Sequence, residues 1–216
     1  MKRLTVIVPI YNALDDVKIC LESLVKNFNF NYGNIVLIND SSNDETTKFL
    51  TKFCIENKNF KLIENEENLG FVKTCNKGMN LAQTEFVVLL NSDTAIPSGF
   101  AECIIKCFES DEKIGLASPI SSNSNSYYIY MRDGYTVEEM NKKIRSKHES
   151  VYPLLPEAEG FCFCIRKKVI EQQGFLDEIF GKGYHEEVDF SYRAITNGWK
   201  IVLGIPWESG GPILQA

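Results

Sequence analysis

The sequence predicts an α/β domain with a mostly parallel central sheet flanked by helices. Three observations predict it. Apolar, β-branched runs alternate with segments of helical periodicity through residue 93, the signature of βαβ units. Runs such as "FVVLL" are apolar without a break, as strands covered on both faces require. The strand pattern resumes at 158–167 after a polar stretch, so 216 residues at 44% hydrophobic content read as one domain with a sizeable core.

The first strand is "LTVIVPI" (4–10), and the helix after it carries Leu14, Val17, Leu21, Leu24 and Val25 at helical spacing behind Asn12 as a cap. "NIVLIND" (34–40) is the second strand, followed by a helix over 44–57 with Ser42, Asn43 and Asp44 available to cap it. "FKLIEN" (60–65) is the third strand and 70–82 the third helix. "EFVVLLNSD" (85–93) is the fourth strand. A helix at 100–110 and a strand at 114–120 then precede the Tyr-rich stretch 121–156, which includes a helix at 136–147. That stretch reads as an insertion carrying partner or substrate contacts, with Tyr127, Tyr128 and Tyr130 placed to stack on a sugar or to pack the insertion on the sheet. "AEGFCFCIRK" (158–167) is a strand, "KKVIEQQG" a helix, 185–198 a further helix and "WKIVLG" the last strand. Residues 205–216 fit neither state and read as a truncated or non-native end.

The formal charge of −6 and pI near 5.1 argue against general affinity for nucleic acid, because no basic stripe offsets the acidic balance. A small anionic ligand remains compatible if a metal or helix N-termini hold it. The seven cysteines are scattered with no C-x-x-C pair, so they read as reduced thiols of a cytoplasmic protein. Cys103 and Cys107 are spaced for metal on a helix but fit buried apolar positions better, and Cys162 and Cys164 suit one face of a strand. The apolar run after "MKR" is too short for a signal peptide or a membrane span, and no other segment reaches 18 apolar residues. The protein is expected to be soluble, or attached to the inner face of a membrane by surface contacts alone.

In parallel sheets of this kind, ligands bind beyond the carboxyl ends of the strands. Tyr11 and Asn12, Asn39 and Asp40, and Asn91 to Asp93 should therefore share one edge. Asp40 or Asp93 alone reads more readily as a turn residue. Together, and with the acidic "HEEVD", they read as a binding site, in which Asp93 is the better metal candidate because hard divalent cations take carboxylate oxygens and keep substrate phosphates as further ligands. No GxGxxG or Walker loop is present. "NLGF" and "NKG" (68–78) offer either an ordinary turn or a close backbone approach to a ligand. Glu186, Glu187 and Asp189 open a helix, where the dipole favours carboxylates whatever their chemistry, and where a desolvated one can act as a general base. His185 beside them is a ligand or a helix cap.

The motifs "VIVPIYN", "VLINDSSNDET", "NLGFVKTCNKGM", "VLLNSDT", "GFCFCIRKKVIEQQGFLDE" and "HEEVDFSYRAITNGWKIV" appear in the order found in the family 2 glycosyltransferases, and residues 4–204 resemble those inverting enzymes. The resemblance implies the GT-A fold, a single Rossmann-like nucleotide-binding domain over 1–216, with a nucleotide-sugar half at 1–93 and an acceptor half at 94–204. It implies that Pro9, Tyr11 and Asn12 line the nucleotide pocket, that Asp40 contacts the base, and that Gly70 and Lys73 lie near base and phosphates. "NSD" takes the place of the family's D-x-D, with Asp93 as the metal ligand for Mg²⁺ or Mn²⁺ and with Asn91 and Ser92 on the nucleotide side. Glu187 takes the place of the catalytic base, flanked by Glu186 and Asp189, and residues 159–164 border the acceptor. The implied reaction moves a sugar from a nucleoside-diphosphate sugar, UDP- first and dTDP- next, to a hydroxyl of a glycan or lipid-linked saccharide in cell-surface polysaccharide synthesis.

Two departures from the family pattern stand out. Asn91 and Ser92 replace a fully acidic D-x-D, and the stretch after the last strand has no histidine to serve as a further metal ligand. They keep a second reading open, a catalytically degenerate domain that binds nucleotide or a partner without turnover. A sugar-phosphate nucleotidyltransferase is disfavoured, because "PIYNALDD" lacks the Gly-rich, Arg-containing loop.

Overall fold

The computed structural model describes residues 2–119, 151–181 and 183–204. Among the described residues seven strands form one sheet in the order β3-β2-β1-β4-β6-β5-β7. They are β1 (Leu4–Ile10), β2 (Gly33–Asn39), β3 (Phe60–Glu64), β4 (Phe86–Leu90), β5 (Ile114–Ser118), β6 (Cys162–Arg166) and β7 (Lys200–Leu203). β1, β2, β3 and β4 run parallel, and so do β5 and β7, while β6 is antiparallel to both β4 and β5. Among the described residues six α-helices cover the sheet: α1 (Leu14–Asn27), α2 (Asp44–Glu56), α3 (Phe71–Leu81), α4 (Phe100–Ser110), α5 (Lys167–Gln173) and α6 (Glu186–Thr196). No described helix is long and apolar enough to cross a membrane.

Alternation along each strand divides the core into two layers. Val6, Val8 and Ile10, Phe86, Val88 and Leu90, and Cys162 and Cys164 face α1, α2 and α4. Ile7, Val87, Leu89, Phe163 and Ile165 face α3, α5 and α6. Both faces are apolar and filled, which is why these strands read as unbroken hydrophobic runs. Cys162 and Cys164 sit on one face as expected, and Cys103 and Cys107 are buried cysteines of α4 outside any disulfide. Gly78 accounts for "NKG": a Cβ there would lie 2.4 Å from Ile7 Cγ2, so the glycine lets α3 settle onto β1.

Several boundaries differ from the sequence reading, among them the strand expected at 158–167, which begins only at Cys162. Ala13, in the left-handed region, occupies the cap of α1, so Asn12 does not cap it. Asn12 instead reaches across to the next turn, where its Oδ1 accepts from the Asn43 N–H at 2.8 Å. β2 and β4 stop at Asn39 and Leu90, short of Asp40 and Asp93, although the next residue in each case still donates a backbone bond across the sheet, Asp40 to the Ile10 carbonyl and Asn91 to the Phe161 carbonyl. Of the insertion expected at 121–156, residues 151–156 are described, and there Leu154 bridges to Val202 of β7. The helix at 136–147, the tyrosines at 127, 128 and 130, and the tail 205–216 lie outside the described residues.

Candidate active site

The parallel register brings the carboxyl ends of β1, β2 and β4 to one edge of the sheet. β1 pairs with β2 through Ile10↔Asn39 but with β4 only through Ile7↔Leu89. Pro9, which has no N–H to give, follows the last β4 pair, and the two strands part there. Pro9 is buried in the strand. Tyr11 is 55% exposed just beyond it. The turns that follow are tied together: the Asn12 N–H donates to Ser42 Oγ at 2.9 Å, and the Asp40 N–H donates to the Ile10 carbonyl at 2.8 Å. Asn12, Ala13 and Ser41 all have positive φ without being glycine. Backbone in that region costs energy and is held here by the cross-turn bonds.

Asp40 is only 3% exposed, and its carboxylate organises the entry to α3. Oδ1 accepts from Asn65 Nδ2 at 2.7 Å and from the Leu69 N–H at 2.9 Å, and Oδ2 accepts from the Gly70 N–H at 2.9 Å. Gly70 caps α3 with φ 81°, a conformation open to a residue without a side chain. Lys73, one turn into α3, is exposed, with Nζ 4.0 Å from Glu178. That long surface pair is weak and leaves the ammonium available to phosphate.

Asn91, Ser92 and Asp93 form the turn after β4. The Asn91 N–H donates to the Phe161 carbonyl at 2.9 Å, joining this turn to the loop that enters β6. Asn91 Oδ1 is buried with no hydrogen-bond partner, and Asp93 is exposed. Burial and the charge of Asp93 push the Cys20 thiol up to about 12, so this cysteine stays protonated beneath the turn. Two oxygen donors at 91 and 93, one an orphaned buried amide, fit a hard divalent cation. Among the described residues no group of three His, Cys, Asp or Glu side chains gathers to hold one, so the remaining ligands would come from solvent and a bound diphosphate.

The acids of "HEEVD" have different fates. Tyr184 and His185 both have positive φ and turn the chain into α6. Glu186 is 5% exposed, and burial, reinforced by Glu187, raises its pKa against the opposing backbone bond. Glu187 lies beside the loop before β6, where a Cβ on Gly160 would sit 3.7 Å from its Cδ. Both Glu186 Oε2 and Glu187 Oε2 are buried and unbonded. Such atoms in a native fold await a partner. Asp189 has found one: its Oδ2 accepts from Arg193 Nε at 2.8 Å, and Arg193 goes on to bond the carbonyls of Gln173 and Phe175. His185 occupies the N-cap position of α6, as its place in the sequence offered, with an exposed side chain that makes no cap hydrogen bond. Of the acceptor-bordering stretch 159–164, Cys162 to Cys164 are core residues of β6, which leaves 159–161 at the edge.

The sequence reading missed Asn65 and Lys77. Asn65 ends β3 as Asn39 ends β2, and the rule that flagged the other strand ends applies to it equally. Nothing in the sequence distinguishes Lys77 from a solvated helix lysine.

The model of "Glycosyl transferase family 2" matches residues 5–174. The chain belongs to the family 2 glycosyltransferases. It is 28% identical over 219 residues to a teichoic acid poly(glycerol phosphate) polymerase of Staphylococcus epidermidis, covering 99% of this chain and 29% of that protein. It is 21% identical over 202 residues to an uncharacterised glycosyltransferase of Methanocaldococcus jannaschii, covering 91% of this chain and 66% of that one. It is 27% identical over 115 residues to a poly-beta-1,6-N-acetyl-D-glucosamine synthase of Staphylococcus aureus, covering 53% and 27%. The chain thus spans less than two thirds of each of these relatives. Among solved structures, GalNAc-T7 with UDP, GalNAc and Mn²⁺ superposes with a TM-score of 0.75 at 19% identity, covering 99% of this chain and 42% of that one. The S. aureus TarS fragment with UDP does so at 0.71 and 19%, covering 99% and 60%. These likenesses place the family 2 domain in the GT-A fold.

Proposed function

We propose that this domain transfers a sugar, with inversion, from a nucleoside-diphosphate sugar to a hydroxyl of a glycan or lipid-linked saccharide. UDP-sugars are the first expected donors and dTDP-sugars the next. The observation that carries the reading is Glu187: a buried carboxylate oxygen without a partner, beside Gly160, on a loop hydrogen-bonded to the Asn91 turn. Glu187 removes the proton of the acceptor hydroxyl as that oxygen bonds to the sugar C1 and the bond from C1 to the diphosphate oxygen breaks. Glu186 flanks Glu187 at the start of α6, and Asp189 holds Arg193 and steadies the helix. On the donor side, Tyr11 and the Asp40-organised loop flank the base, while Asn12 fixes the turn beneath it and Lys73 and Ser92 face the phosphates. A Mg²⁺ or Mn²⁺ ion on Asp93 and Asn91 Oδ1 would supply positive charge to the leaving diphosphate.

The relatives support an acceptor in cell-surface polymer synthesis, since two of them are named as makers of teichoic acid and poly-N-acetylglucosamine. Seven cysteines, all outside disulfides, support a reducing, cytoplasmic location. The exposed, single carboxylate of Asp93 favours the second reading, a domain that binds nucleotide without turnover. A panel of nucleotide sugars with Mn²⁺, assayed for release of nucleoside diphosphate with and without chelator, decides between them. Release from one donor that stops on chelation supports the transferase. Binding without release supports the second reading.

A further inference from the structure

Asn65 is 7% exposed, and every polar atom of its side-chain amide is engaged. Nδ2 donates to Asp40 Oδ1 at 2.7 Å and to Thr74 Oγ1 at 3.2 Å, while Oδ1 accepts from Lys77 Nζ at 2.6 Å. Lysine has donors only, so its ammonium fixes which way the amide faces. A flipped Asn65 would set its oxygen against the Asp40 carboxylate and its NH₂ against the Lys77 ammonium, repulsive at both ends. Lys77, which α3 carries one turn beyond Lys73, therefore determines what Asp40 receives.

The bond count on Asp40 then has a consequence for ligand choice. Oδ1 takes two protein donors and Oδ2 takes one, the Gly70 N–H, so a single acceptor position at Oδ2 is left. An open cavity of about 560 Å³ adjoins this corner, lined by Asn65, Glu66, Glu67, Leu69 and Lys77. We propose that Lys77 and Asn65 form a positioning relay that presents the remaining Asp40 acceptor to a nucleoside diphosphate whose base offers one N–H, a uracil or thymine. Guanine, with adjacent N1–H and N2–H₂ donors, asks for two acceptors and is matched less well. The inference rests on the nucleotide-sugar reading above. It adds two residues that act through Asp40 and need no contact with the ligand.

The test is calorimetric titration of UDP and GDP, each with Mn²⁺, into the wild type, Lys77→Met and Lys77→Arg. Lys77→Met keeps the aliphatic stem against the helix, and Lys77→Ala serves should it fail to fold. Loss of the charge-assisted bond to Asn65 should weaken UDP about tenfold and narrow the preference for UDP over GDP, and Lys77→Arg, which still donates, should recover most of both. In turnover the loss should fall on KM for the donor, with kcat kept, which a general loss of folded protein would not produce. UDP affinity and UDP/GDP preference equal to wild type in a folded Lys77→Met protein overturn the relay alone. A wild type that binds neither nucleotide overturns the nucleotide reading and the relay with it.

Discussion

The Asn91 N–H and the Phe161 carbonyl meet at 2.9 Å, just past the end of the antiparallel β4–β6 ladder at Leu90↔Cys162. That bond joins the two halves of the candidate site. On one side lies the Asn91–Asp93 turn, and on the other Gly160 lies against Glu187. The chemistry proposed for the site depends on this frame, because it holds the Asp93 turn in a fixed relation to the loop that packs against Glu187 of α6.

Asn91→Asp should restore a second carboxylate at the turn. Without metal, the new charge is buried beside Asp93 and above the desolvated Cys20, so thermal stability should fall. With Mn²⁺ and UDP the charge is compensated, and the metal-induced rise in Tm should exceed that of wild type. Asp93→Ala should abolish that rise. Equal rises in wild type and both variants would remove residues 91 and 93 from the metal site.

Gly78→Ala tests the seating of α3. Alanine favours helix over glycine by about 1 kcal/mol, but its Cβ would lie 2.4 Å from Cγ2 of Ile7, a fully buried side chain on a central strand. Overpacking of this kind costs about 1–3 kcal/mol, so the clash wins. Urea denaturation should show a lower midpoint with an unchanged slope.

How much of this was legible beforehand follows from the physics of each element. β1 to β4 and their helices were readable because a strand buried on both faces admits only apolar residues, and because Asn43 announces α2, where its side chain accepts from the Thr46 N–H. The shared edge of Tyr11, Asp40 and Asp93 followed from parallel pairing. The direction of β6 was not legible, since an apolar run carries no sign of which way it pairs. The division of labour among Glu186, Glu187 and Asp189 was equally hidden. It depends on Arg193 reaching back one turn to Asp189 and on the loop around Gly160 coming close to Glu187, and neither contact leaves a trace in local composition.

Glu186 should make stability depend on pH. Burial raises its folded pKa above the ordinary carboxyl value, so the native state holds the proton more tightly than the unfolded chain. Its favourable contribution is complete below the unfolded pKa and is lost as pH rises through the folded value. Glu186→Gln mimics the neutral form. Its Tm should exceed that of wild type at pH 7–8, and the difference should shrink toward zero near pH 4. A difference that does not vary with pH would show that Glu186 is not desolvated.

Glu187 is proposed as the base of an inverting transfer. The most direct measurement is the rate of sugar transfer by Glu187→Gln under saturating donor and Mn²⁺, taken beside its affinity for UDP. The amide keeps the shape of the side chain and loses the ability to accept the proton. Transfer should fall by about 10²–10⁴-fold, while the dissociation constant for UDP stays within about threefold of wild type. A variant that binds UDP normally and transfers sugar at the wild-type rate would contradict the assignment.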